Sequence, residues 1–322
     1  MSVLLCVIDG RWVRGVTQLH NVVYIVYDWS SVISRFNAVS HRRFADITVR
    51  DMNSQSVKRM INPCDIAACQ QTAQLYVADN PTSSHAPGSV WRVSSDGEDV
   101  NHLLPKSPWD TTDTINPHAL SVTSSRLLVT SYNQLIQFDA VGDELCRFSL
   151  SDPQRAVESP TGTFIVSHKS TRLKQWRVSE VNTRGRVLRQ FSGSRLLPLG
   201  YTPHVAVDSQ GNIFVADWDR RQILLLNSEL ALRRVIIDEH QLNDKIPWRL
   251  CYNEQSRQLL VGFVGEDVAV FAVIRRHSRT IMEASEAAAS GPAAPRGSSA
   301  SQTISTKRPR PGWRPKTWGR RR

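Results

Sequence analysis

Two histidines in one local setting have the strongest claim to chemistry. His118 lies in "NPHALSV" and His204 in "TPHVAVD", each directly after a proline and before an apolar run. Imidazole is a common zinc ligand, but a zinc centre needs three or four ligands. Three further stretches share the pattern, and there the residue after the proline is Cys64, Gln154 or Trp248. A Cys64 thiolate would be a third ligand. A third histidine in alternating order would fall near Thr17, and His20 is out of phase with that position. No GxSxG, HExxH or P-loop pattern occurs, so no catalytic residue and no cofactor are assigned.

A second group is basic. Lys169, Arg172 and Lys174 follow "FIVSH", and Arg220 and Arg221 lie in "DWDRR" beside Trp218. Such cations can hold phosphates or an acidic peptide. As phosphate contacts they would not by themselves read a nucleotide sequence. A third group closes the chain. The last sixteen residues hold eight Lys/Arg, including Lys307, Arg308, Arg310 and Arg314, interleaved with Trp313 and Trp318. Charge with stacking rings suits RNA or another acidic surface.

These residues need a scaffold, and the scaffold is a repeat. "PHVAVDSQGNIFVADWDRRQILLLN" reads as strand, turn, strand, loop and strand. Related stretches start at Pro63, Pro117, Pro153 and Pro247, spaced 54, 36, 50 and 44 residues apart with Pro203 in the series. A degenerate copy, "GVTQLHNVVYIVYDWSSVISRFNAV", aligns from its second strand and so lacks a leading one. Outer strands follow in "DVNHLL", "ELCRFSL", "RVLRQFS" and "LRRVIID". Several strands per copy of roughly 40–45 residues indicate a propeller. In "NIFVAD", Ile213 and Val215 face one way and Phe214 and Ala216 the other. A strand apolar on both faces must be covered on both, as between stacked blades. Asp217 and Asp79 end equivalent strands and are expected to accept backbone N–H bonds there.

The predicted fold is therefore all-β, a six-bladed β-propeller over residues 1–276. The segment near "LLCVIDGRWV" is expected to complete the last blade and remove its open edge. Residues 277–322 are rich in Ala, Ser, Gly, Pro and Arg, and are expected to be a disordered basic tail. The tail carries +8 of the formal +11 charge, so the body is nearly balanced. Five cysteines without a CxxC pair, Cys6, Cys64, Cys69, Cys146 and Cys251, indicate free thiols in a reducing compartment. The chain is thus placed in the cytoplasm, and "KRPRP" looks like a nuclear import signal. No apolar run approaches the roughly 18 residues of a membrane span, and the first residues lack a basic leader and a cleavage site.

The blade beginning at Pro203 closely resembles the NHL repeat: proline, apolar strand, Asp, Gly-Asn, "IFVAD", loop, "QILLLN". "NPCDIAACQQTAQLYVADN" followed by "GSVWRVSSDG" is similar. The resemblance covers roughly residues 15–276 and is weakest in the first and last blades. It implies the C-terminal propeller of tripartite-motif ubiquitin ligases, which binds protein substrates or RNA. These 322 residues hold no RING, B-box set or coiled-coil heptads, so the resemblance is to the targeting half of such proteins. It implies a non-catalytic interaction module for a protein partner, of unspecified oligomeric state. Two alternatives stand beside it. One is an RNA-binding propeller using the basic rim and the tail. The other is a metal-dependent propeller enzyme, of the lyase or lactonase type, using His118 and His204.

Overall fold

The computed structural model describes all residues except 1, 6–11, 52–57, 61, 81–87, 105–114, 124–125, 171, 194–197, 203, 266–267 and 274–322. Every described element is a strand. Six four-stranded antiparallel sheets form the blades of a β-propeller. Blade one is Val13–Leu19, Val22–Tyr27, Val32–Asn37 and Ile47–Thr48; blade two is Pro63–Cys69, Gln74–Asp79, Ser89–Ser94 and Val100–Leu104. Blade three is Pro117–Thr123, Arg126–Ser131, Gln134–Phe138 and Glu144–Ser149; blade four is Pro153–Glu158, Phe164–Lys169, Trp176–Val181 and Val187–Phe191. Blade five is Val205–Val207, Ile213–Asp217, Gln222–Leu226 and Leu232–Ile237. Blade six is Pro247–Asn253, Gln258–Phe263 and Val268–Ala272, completed by Ser2–Leu5. A two-stranded ribbon, Arg50–Asp51 with Lys58–Arg59, links blades one and two.

The closure is the expected one. Ser2–Leu5 pairs antiparallel with Val268–Phe271, Leu4 opposite Ala269 and Leu5 opposite Val268, so the first residues cover the edge of the last blade. One expectation needs correcting. Blade one does not lack a leading strand, because "VRGVTQL" is its innermost strand and turns into the second through His20 and Asn21. Val13 replaces the proline that marks most other inner strands, and His20 takes the left-handed conformation (φ 50°) in the turn that Gly162 and Gly211 make in blades four and five. Both cues that identify an inner strand in sequence are therefore missing there.

Burial follows the propeller logic. Six hydrophobic clusters among the described residues each join two neighbouring blades. Ile213 and Val215 pack in the cluster towards blade four. Phe214 and Ala216 pack in the one towards blade six. Gly211, at φ 78°, makes the turn before that strand, a region that L side chains avoid. The strand-ending acids act as predicted. Asp79 Oδ1 accepts from Asn62 N–H at 2.6 Å, and Asp217 Oδ1 accepts from Arg220 N–H at 3.3 Å. The predicted tail residues Lys307, Arg308, Arg310, Trp313, Arg314 and Trp318 lie outside the described residues.

Candidate functional site

The inner strands share a local irregularity. In five blades the pairing slips once after the first residue: between Val13 and Gly15, Pro63 and Asp65, Pro117 and Ala119, Pro153 and Arg155, and Pro247 and Arg249. The bulged residues are Arg14, Cys64, His118, Gln154 and Trp248. A bulge re-aims its side chain and breaks the strict alternation of the strand. So the predicted ring of Cys64, His118, Gln154 and Trp248 does occupy equivalent stations, with His204 just ahead of Val205 in blade five. In blade one the station belongs to Arg14, not to a residue near Thr17.

The ring residues are individually engaged. Cys64 Sγ donates to Pro117 O at 2.9 Å. Burial, helped by the Asp65 carboxylate, pushes the Cys64 thiol far above its ordinary range. Without a metal, Cys64 is thus a half-buried, protonated thiol that donates to the neighbouring blade. His118 packs edge-on against Tyr132 with centroids 5.0 Å apart, and burial lowers its pKa. Gln154 Nε2 donates to Asp152 Oδ1 at 2.7 Å, and its Oε1 accepts from Tyr201 O–H at 3.1 Å.

His204 takes a different course and is only 1% exposed. Its Nδ1 accepts from Leu250 N–H at 3.1 Å. A nitrogen that accepts cannot carry the proton, so the neutral ring is protonated on Nε2. Burial first, then the charges of Arg155 and Arg249, hold its pKa well below the usual imidazole value. Among the described residues, no three His, Cys, Asp or Glu side chains are grouped to hold a metal ion.

One residue further along the inner strands lies a second layer. Blades two, four and six contribute Asp65, Arg155 and Arg249, while blades one, three and five contribute Gly15, Ala119 and Val205. The three charged side chains are 1%, 10% and 7% exposed. Asp65 Oδ2 pairs with Arg155 Nη1 and also accepts from Leu120 N–H at 2.8 Å. Arg249 Nε stands 3.8 Å from Asp65 Oδ1 and donates to Arg14 O at 2.5 Å. Arg249 Nη2 donates to Cys64 O at 2.9 Å. Gly15 lets blade one close on this layer, because a Cβ there would sit 2.6 Å from the backbone N of Ile66. Sequence reasoning stopped one residue short of it. The available signal was a charge two residues after the proline in alternate copies: "NPCD", "DPQR" and "IPWR".

Above the layer, at the end where the inner strands begin, aromatic rings gather. Six tryptophans fall among the described residues, and all but the core Trp91 stand at this end: Trp12, Trp29, Trp176, Trp218 and Trp248. Four rings form a continuous belt over blades four to six. Tyr201 meets Trp176 at 4.7 Å and Trp218 at 5.6 Å, and Trp218 meets Trp248 at 5.2 Å. Trp12 of blade one extends it, sharing an apolar notch with Val13, Trp218, Trp248 and Val264. Trp12, Trp29 and Tyr132 are more than half exposed. Cations lie over the rings: Arg249 over Trp248 at 4.5 Å, Lys169 over Trp176 at 5.5 Å and Arg14 over Trp12 at 6.0 Å. Sequence reasoning singled out Trp218 and Trp248 but missed Trp12, Trp29, Trp176 and Tyr201, which only closure of the ring brings to one end.

The predicted basic rim is at this same end, but part of its charge is spent locally. Arg220 pairs with Asp217 at 3.3 Å, and Arg221 with Asp244 at 3.6 Å. Arg172 and Lys174 are exposed in the turn that follows Lys169. Aromatic rings and cations thus share this end of the propeller.

Comparison with known proteins agrees on the fold. No protein-family model matches the chain, and a search of curated proteins finds no match. Solved structures do match. A gluconolactonase from Xanthomonas campestris is 13% identical, over 84% of this chain and 88% of that one, with a TM-score of 0.60. A virginiamycin B lyase from Staphylococcus aureus is 10% identical, over 85% and 99%, at 0.56. A chain of a nidogen/laminin complex is 14% identical, over 72% and 82%, at 0.54. The likeness is to the propeller itself, a scaffold shared by enzymes and binding proteins.

Proposed function

We propose that this propeller is a non-catalytic interaction module, of the NHL type, that docks a protein partner on its tryptophan-rich end. The observation that carries the reading is the belt Trp176–Tyr201–Trp218–Trp248, extended by Trp12 and flanked by arginines and a lysine. Tryptophan, tyrosine and arginine are the residues enriched at protein-binding hot spots. Partly exposed rings that already pack on one another lose little freedom on docking. The propeller in the nidogen/laminin complex is a structural relative found with a protein partner. The blade consensus around Pro203 supports the NHL-type reading, and with it a role in presenting substrates to a ubiquitin ligase. Coding sequence for a RING and B-box upstream of Met1 would strengthen that role.

The test uses the purified protein as bait, with Trp12→Ala/Trp218→Ala as the face variant and Phe44→Ala, on the opposite end, as the control. The reading requires that the face variant loses partners which the control retains. RNA is the second reading, favoured by Lys169 lying over Trp176. Filter binding of single-stranded RNA across a salt series separates the two. Affinity that falls steeply with salt and vanishes in the face variant would replace protein by RNA. For the enzyme reading, metal analysis of the purified protein decides.

A further inference from the structure

At the end where the inner strands finish, opposite the aromatic rings, blades one and two frame a hollow of about 410 Å³. Small-molecule sites span roughly 300–1,000 Å³. Leu19, Val22 and Phe44 give the hollow apolar walls, and Tyr24, Arg35 and Asp96 bring polar groups into it. The walls are held from both blades. Phe44 N–H donates to Arg35 O at 2.9 Å, and Arg35 Nε donates back to Ala45 O at 2.6 Å, which fastens the Phe44 loop to the third strand of blade one. Ser95 O, from blade two, accepts from Tyr24 O–H at 3.0 Å and from Arg35 Nη1 at 3.4 Å. Gly97 lets the turn that carries Asp96 close on blade one, because a Cβ there would sit 2.8 Å from Ile47 Cγ1.

Two opposite charges share this hollow without pairing. The Arg35 guanidinium meets carbonyl oxygens only, and its Nη2 has no partner among the described residues. Asp96 Oδ1 accepts from Ser94 O–H and from Glu98 N–H at 3.1 Å, while Oδ2 has no partner among the described residues. Those hydrogen bonds, the one from Ser94 first, hold the Asp96 carboxyl below the usual carboxylate range, so it is ionised at neutral pH. The neighbouring charges leave this picture intact. Arg43 and Asp46 pair with each other at 2.7 Å, and Glu98 does not line the hollow. A purely anionic ligand would face Asp96, and a purely cationic one would face Arg35. A neutral ligand would leave both charges unanswered. A molecule that carries both charges answers both.

We propose that this hollow binds a free amino acid as its zwitterion, with the carboxylate on Arg35 Nη2–H, the ammonium on Asp96 Oδ2 and an apolar side chain against Phe44. Arg35 Nη2 needs an acceptor and Asp96 Oδ2 needs an N–H donor, which excludes a quaternary ammonium. Phe44 is 40% exposed, so an apolar side chain laid on its ring removes surface that the fold leaves wet. The two charged groups come from different blades, so the ligand also clips blade one to blade two. The site is independent of what docks on the aromatic end.

The experiment titrates the intact chain by calorimetry with free L-phenylalanine, then with the other standard amino acids. Saturable binding is expected at millimolar concentration or below. N-acetyl-L-phenylalanine lacks the ammonium, and L-phenylalanine amide lacks the carboxylate. Each should bind at least about tenfold more weakly, the worth of one charge-assisted hydrogen bond. Asp96→Asn keeps Oδ1 for Ser94 and Glu98. It should weaken the free amino acid about tenfold and leave the N-acetyl form no weaker, a split that a change of shape alone would not produce. Trp12→Ala/Trp218→Ala should bind the amino acid as the unaltered protein does, so this site and the docking face stand or fall separately. If Asp96→Asn fails to fold, the two blocked analogues still decide. No saturable binding of any amino acid, or blocked forms that bind as tightly as the free one, would overturn the proposal.

Discussion

The Asp65 carboxylate of blade two holds the Arg155 guanidinium of blade four across the middle of the ring, 90 residues away in sequence. Both are nearly inaccessible, and Asp65 also receives a backbone N–H from blade three. Removing one partner of a buried pair strands the other. Asp65→Asn or Arg155→Met should each cost about 3–5 kcal/mol, read by guanidinium unfolding. Replacing both with apolar residues should cost distinctly less than the two single losses added together.

Acid should destabilise the fold through its histidines. His118, His168 and His204 all have pKa values lowered by burial from the ordinary 6.5. Below 6.5 the unfolded chain binds protons that the native chain refuses. Stability is therefore full above that pH and falls as pH drops towards the native pKa values. Each such group contributes a slope of up to about 1.4 kcal/mol per pH unit within its window. Urea midpoints between pH 7.5 and 5 measure the slope. His204→Asn should make it shallower, and an unchanged slope would remove His204 from this account.

The aromatic end should separate binding from folding. Trp12 is 53% exposed, so Trp12→Ala should leave the melting temperature within a few degrees. Combined with Trp218→Ala, it should weaken partner affinity at least about tenfold, the scale of a hot-spot truncation. Titration calorimetry with the isolated partner checks this.

The closing strand should be indispensable. Deleting residues 1–5 exposes the edge of Val268–Ala272. An unpaired edge recruits other chains. The truncated protein should melt earlier and associate at concentrations where the full chain does not, as seen by light scattering. Equal stability and no association would show that the pairing is dispensable.

Much of this molecule is legible from local pattern. The prolines phase most of the inner strands, alternation in "NIFVAD" marks a doubly covered strand, and Asp79 and Asp217 announce the strand-end turns. The closure follows from the apolar start and the need to cover an edge. What escapes is whatever depends on the ring being shut. Nothing local links Asp65 to Arg155, or Trp12 to Trp218. The two proline-linked histidines also part company for a non-local reason. Leu250 N–H reaches back to His204 in the preceding blade, while the equivalent Leu120 N–H reaches back to Asp65. His118 is thus left against Tyr132 as an ordinary packed ring.

Asp65 touches three other blades at once, through Leu120 N–H, Arg155 and Arg249. Open arrays of repeats unfold by degrees, because each unit answers only to its neighbours. A clasp spanning alternate units, inside a ring sealed by the first strand, abolishes that independence. Loosening blade two, three, four or six uncovers charge in the others, so the cost of partial opening there approaches that of complete unfolding. The chain is built of six similar units, yet its centre makes it behave as a single cooperative object, with one sharp transition where its sequence would suggest a staircase.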